Sequence, residues 1–100
     1  MTDELLDLHD LAVRAARASG AKRVILFGSR ARGDARGDSD VDLLLILPDE
    51  VNWIQAGMAA YQEMPLNIGI DVLTMTEREF ESGETLLARI IQREGKTLYA

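Results

Sequence analysis

Residues 23–47 of the chain read RVILFGSRARGDARGDSDVDLLLIL. Two largely apolar runs, one over 23–27 and the other over 40–47 with aspartates at its start, enclose a segment crowded with arginine, aspartate and glycine. Apolar runs of this length are typical of buried strands. About a dozen connecting residues are too few for an ordinary parallel crossover that contains a full helix. We therefore expect the two strands to belong to a mixed sheet.

The flanking sequence predicts helices and one further internal strand. A helix over 3–19, capped by Thr2 and ended by Gly20, precedes the first strand. Asp49 is expected to cap a helix over 50–62, and a third strand is expected at 68–73. A short turn or helix, a helix over 84–94 and a short edge strand in the final KTLYA follow. This order predicts a single α/β (α+β) domain over 1–100, with helices packed on a small mixed β-sheet.

Composition limits the classes of function. With 47% hydrophobic residues, a chain of 100 residues can form one core. Its net charge of −6 argues against direct nucleic-acid binding, and neither a membrane span nor a secretion signal is evident, so we expect a cytoplasmic protein. It contains no cysteine and a single histidine, His9. Any metal must therefore be held mainly by oxygen ligands, which favours a hard cation such as Mg²⁺.

Three aspartates are the main candidates for chemistry. Asp40 and Asp42 share one side of a strand, about 6.6 Å apart along it. Asp71 is embedded in a later apolar strand, GIDVL, and would join them if the two strands are neighbours. Carboxylates beside a hydrophobic core repel one another and lose hydration, and a divalent cation removes both penalties. A third carboxylate would allow a second ion, as in two-metal phosphoryl transfer.

The segment before these acids is suited to phosphate. Gly28 lets a phosphate approach the backbone, Ser29 offers a hydroxyl and an amide, and Arg30 and Arg32 offer positive charge. Ser39, directly before the first acid, is a further candidate phosphate contact. The segment is not a Walker loop, because no lysine follows the glycines at the required spacing.

Gly28-Ser29, ten intervening residues, Asp40-Val-Asp42 and a later Asp71 together resemble the DNA polymerase beta-like nucleotidyltransferase superfamily. The chain is most similar in type to minimal nucleotidyltransferases, the MntA-type antitoxins that pair with HEPN-domain toxins. The resemblance implies the nucleotidyltransferase core fold, Mg²⁺ bound by the three aspartates, and phosphates held by Gly28 and Ser29. It also implies transfer of AMP from ATP to a tyrosine of a HEPN toxin within a hetero-oligomer. Asp71 is then the best candidate to accept the proton of the acceptor hydroxyl.

Two other functions stay open at this stage. The chain could neutralise a partner by occlusion alone, with a vestigial nucleotide site. It could also modify a small molecule or an RNA end when completed by a second subunit. Trp53, Tyr61 and Tyr99 are interpreted as packing or partner surface. In the helix over 50–62, one face carries the larger apolar side chains, namely Val51, Ile54, Met58 and Tyr61.

Overall fold

A computed structural model describes residues 7–34 and 40–100 of the chain. Within these ranges the elements follow the order α, β, α, β, α, β, α, α, β. Their bounds are α1 Leu8–Ser19, β1 Arg23–Phe27, α2 Ser29–Arg32, β2 Val41–Leu47, α3 Trp53–Gln62, β3 Ile70–Thr76, α4 Glu77–Ser82, α5 Leu86–Glu94 and β4 Lys96–Tyr99. None of the helices in the described ranges is long and apolar enough to cross a bilayer.

The described strands form one mixed sheet in the order β3-β2-β1-β4. Strand β1 pairs antiparallel with β2 and with β4, whereas β2 and β3 run parallel. The mixed sheet predicted from the short β1–β2 connection is therefore confirmed, as is the edge position of the final strand. Strand β2 lies inside the sheet and is covered on both faces, which explains its continuous apolar run.

Side chains of β2 alternate between two helical layers. Val41, Leu43, Leu45 and Leu47 pack in the core that α1 and α3 cover. Leu44 and Ile46 point to the opposite face and pack with Phe80 of α4 and Ile91 of α5. Each fully buried leucine or isoleucine contributes about 1.5–3 kcal/mol through removal of its side chain from water. The central strand thus joins both halves of the core, and its alternation places Asp42 on the α4–α5 face.

Three helices start later than predicted, with α5 beginning at Leu86 rather than at residue 84 and larger differences for α1 and α3. Helix α1 begins at Leu8, where Asp7 accepts a hydrogen bond from the backbone N–H of Asp10 at 3.0 Å; the expected cap, Thr2, lies outside the described residues. Helix α3 begins at Trp53, because Asn52 rather than Asp49 caps it. The Asn52 Oδ1 atom accepts from two N–H groups of the first turn, at 3.1 Å each. In both cases a nearer side-chain oxygen provides the cap.

The third strand is also displaced from its predicted position. It begins at Ile70 and continues to Thr76, beyond the expected 68–73. Thr76 then caps α4 directly, because its hydroxyl accepts from the N–H of Glu79 while the Glu79 carboxylate accepts from the N–H of Thr76. The strand therefore runs into the helix without an intervening turn.

Helix α3 packs by its small residues. Ala56 and Ala60 are buried, whereas the larger apolar residues Ile54, Met58 and Tyr61 are more than half exposed. Of the two interpretations offered for Trp53 and Tyr61, core packing is excluded by their exposure and partner surface stays a prediction. Alanines on α1 and α3 instead allow these helices to approach closely. Tyr99, by contrast, is half-buried and packs against the core.

Candidate functional site

The parallel pairing of β2 and β3 brings the acidic residues to one end of the sheet. Asp42 and Asp71 are direct register partners, and both lie on the α4–α5 face. Asp40 immediately precedes β2, where the N–H of Val41 donates to the carbonyl of Gly69 at 2.9 Å. The convergence expected if strands two and three were neighbours therefore occurs. The three carboxylates stand at the sheet end from which solvent can reach them, since Asp40 and Asp71 are exposed and Asp42 is half-buried.

Two glycines make room for these carboxylates. A Cβ atom added at Gly28 would overlap the carboxylate of Asp42, and one added at Gly69 would overlap that of Asp40. Gly28 follows β1 directly, and Phe27 is the register partner of Asp42, so the chain turns away from the sheet beside that carboxylate. Gly28 has a φ of 78°, which a larger residue adopts only with strain. The sequence analysis missed Gly69; its position two residues before an aspartate inside an apolar strand was the available signal.

Gly28 and Ser29 begin the short helix α2. The Gly28 carbonyl accepts from the N–H groups of Ala31 and Arg32 at 3.0 and 3.1 Å, and the Ser29 carbonyl accepts from Gly33 at 3.0 Å. Ala31 is the buried residue of α2 and attaches it to the core. Ser29 and Arg30 are half-buried at the start of this helix. Ser39, also expected to contact phosphate, lies outside the described residues.

The Asp42 carboxyl carries the clearest electrostatic perturbation in the site. Burial raises its pKa, and a hydrogen bond with the Asp71 carboxyl, the charge of Asp71 and the charge of Asp40 raise it further. Arg32 acts in the opposite direction and lowers this pKa. A hydrogen bond between two carboxyl groups requires a proton on one of them. A positive charge at this position would therefore stabilise the ionised form of the pair.

Arg32 lies close to the carboxylates and is itself held by acidic side chains. Its Nε is 3.2 Å from Asp34 Oδ2, and its Nη1 is 3.7 Å from Glu94 Oε1. The hydrogen bond with Asp34 and the charges of Asp34 and Glu94 raise the pKa of the Arg32 guanidinium. Arg32 thus connects α2 to α5 beside the site, and a phosphate would compete with these partners for it.

The donor set fits an open cation site. Within residues 7–34 and 40–100, no group of three or more histidine, cysteine, aspartate or glutamate side chains is arranged so that it could hold a metal ion. Asp42 and Asp71 nevertheless contact each other, with Asp40 near enough to perturb Asp42. Mg²⁺ usually takes one or two protein carboxylates and completes its octahedron with water and substrate phosphates. Oxygen-only donors at a solvent-facing sheet end match this chemistry, and binding of Mg²⁺ by these residues stays a prediction.

An apolar pocket adjoins Asp71 on its outer side. It encloses about 460 Å³ between β3 and α3, and its lining includes Asp71, Val72, Met58 and Tyr61. Tyr61 is 58% exposed and Trp53, on the same helix, is 62% exposed. Tyr61 is therefore available for contact with another molecule next to Asp71, whereas Trp53 is exposed farther along β3, near Thr74 and Met75.

Comparison with known proteins places this arrangement in context. A family model for the nucleotidyltransferase domain matches residues 11–99. The fold superposes on a toxin–antitoxin crystallised with AMP-PNP with a TM-score of 0.69 at 21% identity, covering 94% of this chain and 74% of that one. A putative nucleotidyltransferase from Sulfolobus solfataricus gives 0.62 at 23% identity, covering 89% and 73%. A mutant of the toxin–antitoxin MntA-HpeT gives 0.62 at 21%, covering 88% and 69%. No curated protein matches the chain significantly.

Proposed function

Because this chain belongs to the nucleotidyltransferase domain family, we propose that it transfers AMP from ATP to a hydroxyl side chain of a partner protein. The nucleotidyltransferase family inferred from the sequence is confirmed, and its fold is shared by the two toxin–antitoxin structures. We propose further that the partner is a toxin of the HEPN type and that the chain acts as its antitoxin within a hetero-oligomer. The observation that carries the proposal is the register pairing of Asp42 with Asp71, beside Asp40 and the Gly28-Ser29 turn.

The proposed reaction is a nucleotidyl transfer. The acceptor oxygen forms a bond to the α-phosphorus of ATP, the bond from that phosphorus to the bridging α–β oxygen breaks, and pyrophosphate leaves. The acceptor hydroxyl loses its proton, for which Asp71 is the proposed base because it is exposed at the sheet end and is among the residues that line the adjoining pocket. Products are then an adenylylated side chain and pyrophosphate.

Each candidate residue has a proposed role. Asp40, Asp42 and Asp71 would hold Mg²⁺, with one or two ions, and the cation would neutralise phosphate charge. Gly28 and Ser29 would lie against the phosphates, because the Gly28 turn passes directly beside the Asp42 carboxylate, where the acids converge. Arg30, Arg32 and Ser39 are proposed phosphate contacts.

The direct test is an intact-mass comparison of the protein encoded beside this one. That protein is incubated with the chain, ATP and Mg²⁺, with Asp42→Asn as the matched variant. We expect one or more adenylyl units with the wild type and none with the variant, because the substitution removes a metal ligand while preserving the side-chain volume. An equal mass gain with both proteins would overturn the assignment of Asp42, and no gain with either would overturn the proposed reaction with this acceptor.

The exposed apolar residues of α3 favour a second candidate, neutralisation by occlusion. Trp53, Met58 and Tyr61 are exposed along α3, with Met58 and Tyr61 next to Asp71, and exposed apolar surfaces commonly mark protein interfaces. Under this alternative, a triple alanine variant of Asp40, Asp42 and Asp71 would still inhibit the toxin fully. Loss of inhibition with retained binding would instead favour the catalytic function.

A further inference from the structure

The outer edge of β3 is an open template for another strand. Strand β3 pairs with β2 on one side, and no strand in the described part of the chain pairs with its other side. Its seven residues, IDVLTMT, include no proline and no lysine, and its pairing with β2 is regular over all seven positions. Edge strands are usually protected by such residues or by bulges. The N–H of Thr76, at the end of β3, donates to the Glu79 carboxylate. The rest of this edge has no strand partner in the described part of the chain and has the regular geometry that strand addition requires.

Apolar side chains flank this edge on both faces of the sheet. On one face, Trp53, Ile54 and Met58 of α3 form a wall, and on the other Leu73 lies near Leu87 of α5. Together they line a groove of about 430 Å³ that runs around the edge, which we call the β3 groove. The β3 groove shares Met58 and Val72 with the pocket that contains Asp71. An occupant of the groove would therefore extend to the proposed base.

The charged residues around the β3 groove indicate the sign of the charge on a segment that binds there. The charged residues that line the β3 groove and the pockets next to it along β3 are Asp71 at one end and Glu79 at the other. Among the residues that the structure describes, no lysine or arginine lines these pockets. A second copy would bring the same acids and a further net charge of −6, whereas a segment with basic residues would be attracted.

We propose that the acceptor segment of the partner protein binds the β3 groove as an added strand. The segment is extended and apolar, with a lysine or arginine near its ends and a hydroxyl residue beside Asp71. Its side chains alternate between the α3 wall and the Leu73–Leu87 side, while its backbone pairs with β3. This inference rests on the proposed function, because it assigns the way in which the acceptor hydroxyl reaches Asp71.

Two neighbouring leucines of α5 provide a matched test. Leu87 is 38% exposed and lines the groove, whereas Leu86 is 66% exposed and does not line it. Leu87→Lys and Leu86→Lys are each made alone and in an Asp42→Asn background, which separates binding from transfer. Affinity for the protein encoded beside this one is measured by titration calorimetry, and adenylyl transfer by intact mass. Affinity for Mg²⁺ and AMP-PNP is measured alongside as a check on the nucleotide site.

We expect Leu87→Lys to weaken partner binding at least about tenfold and to slow transfer correspondingly, with nucleotide affinity retained. Leu86→Lys is expected to bind and transfer as the wild type does. Hydrogen exchange in the complex tests the strand itself, because the outward N–H groups of β3 should exchange more slowly when paired. Docking of a helix or a flat surface would leave these N–H groups exchanging freely, and would overturn the inference even if Leu87→Lys bound weakly.

The remaining outcomes separate the two proposals. Unchanged binding by Leu87→Lys, with transfer intact, overturns the groove assignment and leaves the proposed function standing. Slowed β3 exchange and groove-dependent binding without any transfer by the wild type support the groove and overturn the reaction. A wild-type dimer that Leu87→Lys dissociates, with partner binding unaffected, assigns the groove to a second copy and overturns the inference.

Discussion

At the level of single residues, the fold places the Asp42 carboxyl where a nearby positive charge would stabilise its ionised form. Its carboxyl is partly withdrawn from water and lies against a second carboxyl, and both effects raise its pKa. Such an arrangement disfavours the ionised state that a metal ligand requires. A bound cation would favour the ionised carboxylate instead. The unfavourable environment of Asp42 in the absence of a cation therefore agrees with a role in cation binding.

The raised pKa of Asp42 has a defined consequence for stability. Between the ordinary carboxyl pKa and the raised one, the folded state holds a proton that the unfolded state has lost, so the free energy of unfolding falls as pH rises through this window. We expect Asp42→Asn to be more stable than the wild type above the window, with the difference shrinking below it. Urea unfolding over a pH series measures this.

Asp49→Asn is the control for loss of an acidic charge, because Asp49 follows the opposite end of β2 and pairs with Arg78 at the surface. Its stability difference from the wild type should not follow the same pH window. A destabilised Asp42→Asn variant at neutral pH, without Mg²⁺, would contradict the proposed origin of the shift.

Gly28 and Gly33 separate backbone strain from crowding at the site. Both have positive φ, 78° and 87°, at the two ends of α2, yet an added Cβ meets Asp42 only at Gly28. Gly33→Ala should cost roughly 1–2 kcal/mol of stability through strain and leave affinity for Mg²⁺ and AMP-PNP unchanged. Gly28→Ala should cost more and lower that affinity at least about tenfold, measured by calorimetry. Equal affinities for the two variants would show that the Gly28–Asp42 approach is irrelevant to the site.

At the level of elements, α3 buries its small side chains and exposes its large ones. Ala60 is fully buried in the core, while Trp53 and Met58 are more than half exposed. The same helix thus closes the core by close approach and presents an apolar surface along the outer edge of β3. Its sequence pattern alone does not distinguish these two faces.

This packing predicts that a new leucine on α3 changes the free energy of unfolding by very different amounts at a buried and at an exposed position. Ala60→Leu inserts three carbons into a filled interface and should lower the free energy of unfolding by about 1–3 kcal/mol. Gln55→Leu, at an exposed position, should change it by no more than about 0.5 kcal/mol. Chemical denaturation of both variants decides the point. A tolerated Ala60→Leu would mean that α3 can rotate and bury its larger residues.

At the level of the whole molecule, the candidate site joins parts of the chain that are distant in sequence. The Gly28 turn follows β1, Asp40 and Asp42 flank the first residue of β2, and Asp71 lies on β3. A ligand that contacts all three stabilises the folded state, since the unfolded chain cannot present them together.

We expect Mg²⁺ with AMP-PNP, at a hundred times the dissociation constant, to stabilise the fold by about 2.7 kcal/mol. For a domain of this size, the melting temperature should rise by on the order of 10 °C in a calorimetric scan. The triple variant Asp40→Asn, Asp42→Asn, Asp71→Asn should show no comparable rise. Equal stabilisation of both proteins would locate nucleotide binding elsewhere.

Local patterns in the sequence determined much of the fold and the choice of site residues. The apolar runs predicted β1 at its observed bounds and the mixed sheet, and the alternation along β2 predicted which of its residues share a face. The spacing of Gly28-Ser29, Asp40, Asp42 and Asp71 indicated the family. These features are encoded by neighbouring residues, so periodicity and spacing are sufficient to find them.

Tertiary structure alone decided what depends on long-range pairing. The parallel register that aligns Asp71 with Asp42, and the contact of Gly69 with Asp40, arise between segments nearly 30 residues apart. Helix α3 turns its alanines inward because α1 offers alanines in return, and its larger residues are left to line the open edge of β3. Periodicity predicts an apolar face for a helix, but only the shape of its neighbours determines which face fits.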